Sequence, residues 1–79
     1  MRYFVKIDDE WHVYSVADIK TLVVCIAKNY GVYTDLFLMA IIGCTTDEDY
    51  FKMYNVFADS HYKLLGVWEL SKHIFGEEK

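Results

Sequence analysis

The sequence predicts a small α+β domain in which an N-terminal β-hairpin is followed by three or four α-helices. Residues 2–7 and 11–16 alternate side chains with the period of two that is typical of strands. From residue 19 onward, apolar residues recur at helical spacing. Because 79 residues suffice for one hydrophobic core and no second, residues 1–79 are expected to form a single domain.

The hairpin is predicted from two alternating segments with acidic residues 8–10 between them. Tyr3, Val5 and Ile7 form one face of the first segment. No Asn-Gly or Asp-Gly pair marks a tight turn, so the type of loop stays open.

The first helix is expected to begin near a capping box in which Ser15 precedes Asp18 by three residues, with Asp in place of the usual Glu. Gly31 is suited to end it as a C-cap. Its apolar stripe consists of Ile19, Leu22, Val23, Ile26 and Tyr30.

A short second helix is expected over residues 36–42, with Thr34 and Asp35 as its N-terminal signal and Gly43 after its end. Leu, Met and Ala favour a helix here. A buried strand remains the alternative, because periodicity cannot separate the two in a short apolar run.

The longest helical pattern runs from residue 47 to residue 75 and is expected to begin with a capping box of Thr45 and Glu48. Gly66 either breaks this segment into helices near 46–64 and 67–75 or lies within one continuous helix. The stripe consists of Tyr50, Tyr54, Phe57, His61, Leu64, Trp68 and Phe75.

Several features indicate a cytoplasmic protein with no membrane segment. Cys25 and Cys44 lie in apolar runs, so both are expected to be buried, reduced thiols. The first ten residues contain three acids before any apolar run of signal-peptide length. The longest uncharged stretch, residues 36–46, is too short to cross a bilayer.

The net charge of −4 is concentrated in residues 32–59, where Lys52 is accompanied by five acids. The eight Lys and Arg residues are not clustered. Phosphate contacts require clustered bases, so direct binding of nucleic acid is not expected.

No residue pattern points to catalysis, a metal or a cofactor. Consecutive acids at 47–49 lack the alternation and glycine of a calcium loop, and no Cys-x-x-Cys or His-x₃-His pair suggests zinc. Cys44 and His61 could form a nucleophile and base, but no third group orients them. His61 is therefore expected to be a hydrogen-bonded core or interface residue, with a pH-sensitive contact as the alternative.

Aromatic residues make up 18% of the chain, more than a core of this size can easily shelter. Some of these rings are therefore expected to form an interface with another molecule. The residues predicted for this interface are Tyr33, Tyr50, Tyr54, Phe57, His61, Tyr62 and Trp68. Asp47, Glu48 and Asp49 border it as a predicted acidic contact with a basic partner.

The resulting hypothesis is a non-enzymatic protein–protein interaction domain. By analogy of size and character alone, such a domain resembles the small proteins with which phages and mobile elements block larger host proteins, including nucleic-acid-handling defence enzymes. The alternative is a self-associating homodimer module that uses the same aromatic face and has no foreign target.

Overall fold

The computed structural model describes residues 2–69, and for Trp68 and Glu69 it describes the backbone alone. The expected α+β class with an N-terminal hairpin is confirmed, and a third strand is added to it. The elements in chain order are β1 (Arg2–Ile7), β2 (Glu10–Ser15), α1 (Ile19–Asn29), α2 (Asp35–Ile41), α3 (Asp47–Phe57) and β3 (Leu64–Glu69).

The hairpin closes through a two-residue loop, Asp8 and Asp9, since Ile7 pairs with Glu10. Both loop residues have positive φ, 54° and 69°. Positive φ at both central residues is the mark of a type I′ turn, whose twist matches that of the flanking strands. Asp tolerates this left-handed conformation better than most residues, which explains a tight turn without the usual Asn-Gly pair.

Helix α1 begins at an Asp18 cap rather than at the expected Ser15 box. The Asp18 carboxylate accepts the Thr21 N–H at 2.8 Å. At the other end Gly31 has φ +76°, and the Val32 N–H donates to the Ala27 carbonyl at 2.9 Å. This bond pattern is a Schellman motif, so the predicted glycine at the helix end is confirmed.

Residues 35–41 form a helix, which excludes the strand alternative for this segment. The Thr34 hydroxyl caps α2 by accepting the Phe37 N–H at 3.1 Å. Helix α3 begins one residue later than expected, with a capping box formed by Thr46 and Asp49 rather than by Thr45 and Glu48.

The prediction that the chain stays helical after residue 57 is wrong. Helix α3 ends at Phe57, and residues 64–69 form β3 instead of one or two further helices. Strand β3 pairs antiparallel with β1, with a bulge where Ile7 faces Leu64 and Lys6 faces Gly66. A sheet of two strands leaves one edge of β1 unpaired, and pairing that edge outweighs a helical pattern that Gly66 already weakens. Phe75, the end of that predicted stripe, lies outside the described residues.

The sheet has the order β2-β1-β3, and the helices cover one of its faces. Helix α3 packs against α1, α2 and β3. The buried residues form one cluster: Tyr3, Val5, Ile7, Leu22, Val23, Ile26, Ala27, Val32, Phe37, Ile41, Met53, Tyr54 and Leu64. The alternating face of β1 formed by Tyr3, Val5 and Ile7 is thus the one that packs against the helices.

The longest helices within residues 2–69 have 11 residues. A span of the bilayer requires about 20 apolar residues, and none of the described helices meets that requirement.

Candidate binding sites

The three predicted interface residues of α3 lie against the core. Tyr54 is completely buried, so it offers no surface for a partner in this fold. Tyr50 and Phe57 are half-buried and pack against the core cluster. The Phe57 ring meets the buried Phe37 ring edge-on, with centroids 5.9 Å apart.

The other predicted interface residues lie in separate segments, because the chain turns away after α3. His61 is exposed in the 58–63 loop, where its N–H donates to Asp59 Oδ1 at 2.8 Å, so it is not a core histidine. Tyr62, half-buried, follows it. Tyr33 precedes α2 and is 38% exposed, and Trp68 belongs to β3, with its side chain outside the description. A single aromatic face does not form, and binding by these residues stays a prediction.

Two of the three predicted acidic contact residues have local partners. The Asp49 carboxylate accepts the N–H groups of Thr45 and Thr46, both at 3.2 Å, and these bonds hold the pKa of Asp49 below its usual value. Glu48 pairs with Lys52 at 3.1 Å. Within residues 2–69, the Asp47 side chain makes no hydrogen bond or ion pair, which leaves it as the member of the trio best able to meet a partner.

Both cysteines are free and half-buried. Burial, with a smaller effect from the nearby Asp49 carboxylate, raises the pKa of the Cys44 thiol. A raised pKa leaves less thiolate at neutral pH and makes this sulfur a poorer nucleophile. In the described part of the chain, no three His, Cys, Asp or Glu residues are placed to hold a metal ion. His73 and the acidic pair at 77–78 lie outside the described residues.

A pocket of about 320 Å³ opens between the tip of the hairpin and the 58–63 loop. The Asp8 N–H donates to the Lys63 carbonyl at 3.3 Å and ties these two segments together. Pocket volumes for small ligands begin at about this size. The lining residues are Ile7, Asp8, Glu10, His12, Tyr30, His61 and Tyr62.

One wall of this hairpin-tip pocket consists of aromatic rings that contact one another. The Tyr30 and Tyr62 rings lie 4.7 Å apart at an angle of 32°, and the His61 ring lies 6.3 Å from that of Tyr62. Burial, followed by the nearby Tyr14 hydroxyl, raises the pKa of Tyr30. The sequence carries no local signal for this pocket, because the pocket exists only where the loop after α3 returns to the hairpin.

The hydroxyl of Tyr54 lies in the core without a hydrogen-bond partner among residues 2–69. Burial is the largest cause of its raised pKa, and Tyr30, Tyr14, Asp59 and Tyr62 add to the shift. Two of these tyrosines, Tyr30 and Tyr62, also line the hairpin-tip pocket.

Helix α2 presents apolar side chains to solvent. Phe37 and Ile41 are buried, whereas Leu36 is 66% and Met39 is 69% exposed. Ile42, the C-cap residue, is 81% exposed. We call Leu36, Met39 and Ile42 the α2 face. The sequence of α2 already indicates such a face. A helix that is apolar on every side is normally covered on every side, so a side left exposed is available to a partner.

A second apolar area lies on the sheet face opposite the helices. Trp11 and Val13 of β2 are 44% and 54% exposed. The Trp11 ring meets Phe4 edge-on at 5.5 Å, and Lys6 Nζ lies 5.8 Å from the Trp11 ring centroid. These contacts already occupy part of the Trp11 ring, and both Trp11 and Val13 are less exposed than Leu36, Met39 and Ile42 of the α2 face.

A shallow cavity of about 420 Å³ lies between the start of α1 and the start of α3. It brings Asp47 and Tyr50 together with Asp18 and Lys20. Tyr50 of the predicted interface and Asp47 of the predicted acidic contact thus line the same cavity, beside helix N-termini rather than on an aromatic face.

Comparison with protein-family models, with curated proteins and with solved structures finds no match. The function therefore has to be argued from the residues and their placement.

Proposed function

We propose that this protein is a non-enzymatic protein–protein interaction domain that binds its partner through the α2 face. The observation that supports the proposal is the exposure of Leu36, Met39 and Ile42 beside the buried Phe37 and Ile41. Complete burial of a Leu, Ile or Met side chain contributes about 1.5–3 kcal/mol relative to exposure. A helix with three such side chains in water gains from any apolar partner surface that covers them.

Charge around the α2 face indicates the chemistry of the partner. Residues 29–51 contain four acids and no Lys, Arg or His, and the two bases that flank them are engaged locally, Lys28 with the Tyr33 ring at 4.9 Å and Lys52 with Glu48 at 3.1 Å. Asp35 lies in the first turn of α2 itself, and Asp47 lies at the start of α3, where it lines the cavity beside α1. An apolar centre with an acidic border fits a partner surface that has an apolar centre and a basic border.

The same charge argues against a second copy of this chain as the occupant. In a two-fold dimer the same patch meets itself, so an acidic border would face an acidic border. A foreign protein with basic residues avoids this repulsion. The homodimer is accordingly an outcome of the test below rather than the proposal.

Inhibition of a larger host protein, such as a nucleic-acid-handling defence enzyme, is the specific form of this proposal. Enzymes that handle nucleic acid carry basic grooves, and the acidic border of the α2 face suits such a groove. Its separate test is whether the purified partner loses activity when this protein is added.

Site-specific photo-crosslinking tests the proposal. A photoreactive amino acid replaces Met39 in one variant and Thr21, an exposed residue of α1, in the control variant, and each is irradiated in host cells. The crosslinked protein is then purified and its affinity measured for the wild type, for Met39→Gln with Ile42→Gln, and for Thr21→Gln.

The proposal expects one protein crosslinked from position 39 and not from position 21. Its affinity should fall about tenfold or more for the α2 variant, since two buried apolar contacts are lost, and stay unchanged for Thr21→Gln. Crosslinks from position 39 to another copy, together with a dimer by light scattering, would overturn it in favour of self-association. Equal affinities for all three proteins would remove α2 as the binding face.

A further inference from the structure

The hairpin-tip pocket combines two kinds of group that attract an organic cation. Its lining includes the paired rings of Tyr30 and Tyr62 and, on its exposed side, the acidic residues Asp8 and Glu10. Aromatic faces attract cations through their quadrupole, and carboxylates do so through charge.

Among the described residues, few basic side chains lie close enough to Asp8 and Glu10 to neutralise their charge. Within residues 2–69, the Glu10 carboxylate has one potential ion-pair partner, His12, whose Nε2 lies 4.0 Å away and carries a charge only when the imidazole is protonated. Lys6, the neighbouring base of β1, pairs with Asp9 instead. Over the same residues, no ion pair joins Lys63 to Asp8, although their backbones are hydrogen-bonded. The negative charge at the rim thus remains available to a ligand.

Other ligand classes fit less well. An anion would be repelled by the two carboxylates. A metal ion lacks a site, since the two histidines and two acids are not gathered around one point in the described structure. An apolar ligand would find one aliphatic side chain, that of Ile7, in the lining.

We propose that the hairpin-tip pocket binds a guanidinium group, such as that of an arginine side chain. A guanidinium is planar, so it can stack on a tyrosine ring while it donates paired hydrogen bonds to a carboxylate. An ammonium group is a compact point charge, so it can pair with the carboxylate but cannot stack flat on the ring. The pocket is built from elements other than α2, so this inference does not depend on the proposed function.

Titration with small arginine derivatives, followed by ¹H–¹⁵N and aromatic NMR spectra, tests the inference. The probes are N-acetyl-arginine amide, free L-arginine, N-acetyl-lysine amide and N-acetyl-citrulline amide, the last being a neutral analogue of nearly the same shape. The variants are Glu10→Gln and Tyr62→Leu, and Asp35→Asn is the control at an exposed acid outside the pocket. The spectra also show whether each variant is folded.

Saturable shifts of the His12, Tyr30, His61 and Tyr62 signals are expected with the guanidinium probes. Citrulline should bind about tenfold or more weakly, because it lacks the charge-assisted bonds, and the lysine probe should lie between them. Glu10→Gln and Tyr62→Leu should each weaken the arginine probe several-fold, and Asp35→Asn should not. Tighter binding of the amide than of free arginine would place the guanidinium on a protein, and the reverse would place it on a small molecule.

Three results would overturn the inference. Citrulline could shift the same signals with the same affinity, which would show that charge plays no part. The arginine probes could leave the pocket signals unchanged up to their solubility limit. Stoichiometric Zn²⁺ could shift the His12 and His61 signals while arginine does not, which would identify the pocket as a metal site.

Discussion

The side chain of Asn55 in α3 holds the backbone of Leu64 at the start of β3. The Leu64 N–H donates to Asn55 Oδ1 at 2.8 Å, and Asn55 Nδ2 donates to the Leu64 carbonyl at 3.3 Å. One amide thus satisfies both backbone groups of Leu64 at the bulge, where the ladder to β1 is irregular.

Replacement of this amide should loosen β3. Asn55→Ala leaves two part-buried backbone groups without these partners, which should lower the free energy of unfolding by about 1–3 kcal/mol. Urea denaturation measures the loss, and hydrogen exchange should show faster exchange in 64–67 than in α1. Asn29→Ala, at the exposed end of α1, is the matched control. An unchanged exchange pattern in β3 would show that Asn55 does not anchor the strand.

The contrast between the hairpin and β3 shows what local sequence determines. The hairpin, α1 and α2 were predictable because alternation, Thr34 and Gly31 act within a few residues. Strand β3 was not, because its pairing partner, β1, lies 57 or more residues earlier in the chain. The helical spacing of Phe57, His61 and Leu64 is a local signal. Pairing of residues 64–69 with the free edge of β1, which is distant in sequence, outweighs it.

The candidate sites divide in the same way. The α2 face could have been predicted, since a short helix without a polar side needs more cover than a 79-residue chain offers. The hairpin-tip pocket could not, because Glu10 and Tyr62 meet through tertiary structure. The stripe position of Tyr54 fits an interface residue and a core residue equally well, because periodicity cannot separate a core-facing ring from a partner-facing one.

Removal of the buried Tyr54 hydroxyl should not destabilise the protein. Tyr54→Phe removes a polar group that has no hydrogen-bond partner within residues 2–69, so the free energy of unfolding should rise, by about 1 kcal/mol. The matched control is Tyr50→Phe on the same helix, where the side chain is half-buried and little change is expected. A loss of stability in Tyr54→Phe would mean that the hydroxyl has a bonding role.

The dependence of stability on alkaline pH is an independent test of the burial of the Tyr54 hydroxyl. The folded-state pKa of Tyr54 is raised, so its contribution to stability is fully present below the ordinary tyrosine value and falls as pH rises above about 10. The stability of the wild type should therefore fall more steeply over that range than the stability of Tyr54→Phe, so that the two curves diverge as pH rises. Parallel curves would contradict the assigned burial.

Acid should weaken the caps of α1 and α3. Backbone and hydroxyl hydrogen bonds from Thr21 lower the pKa of Asp18, and those from Thr45 and Thr46 lower the pKa of Asp49. A depressed folded-state pKa means that the stabilising effect is present above the ordinary carboxyl value, about 3.9, and is lost as pH falls through the folded value. Thermal unfolding between about pH 5 and pH 2 measures this slope.

The variants Asp18→Asn and Asp49→Asn should each flatten that slope, because an amide does not titrate. The two caps belong to different helices, so the double variant should show the sum of both effects. If the double variant kept the acid sensitivity of the wild type, neither cap could be its source.

A glycine in the turn between β1 and β2 should make the protein more stable. Asp9→Gly places glycine at φ 69°, a left-handed conformation in which a side chain is unfavourable, and creates the Asp-Gly pair that type I′ turns prefer. The free energy of unfolding should rise by up to about 1 kcal/mol, as measured by urea denaturation. Asp9→Ala is the control and should lower it, since alanine lacks the local hydrogen bonding of aspartate. A glycine variant less stable than the alanine variant would count against the turn type.

Two adjacent isoleucines test which side of α2 is covered. Ile41 is 5% exposed and Ile42 is 81% exposed. Ile41→Ala should cost about 2–5 kcal/mol of unfolding free energy through the cavity it creates, whereas Ile42→Ala should change it by about 0.5 kcal/mol or less.

The two alanine variants should have the opposite order of effect on binding affinity. Once a partner is known, Ile42→Ala should weaken the complex although it leaves the fold intact, because the lost methyl groups belong to the α2 face. Ile41→Ala should bind normally at temperatures where it remains folded. If Ile42→Ala destabilised the isolated protein as much as Ile41→Ala, the side chain would already be covered, and the α2 face would have no surface left for a partner.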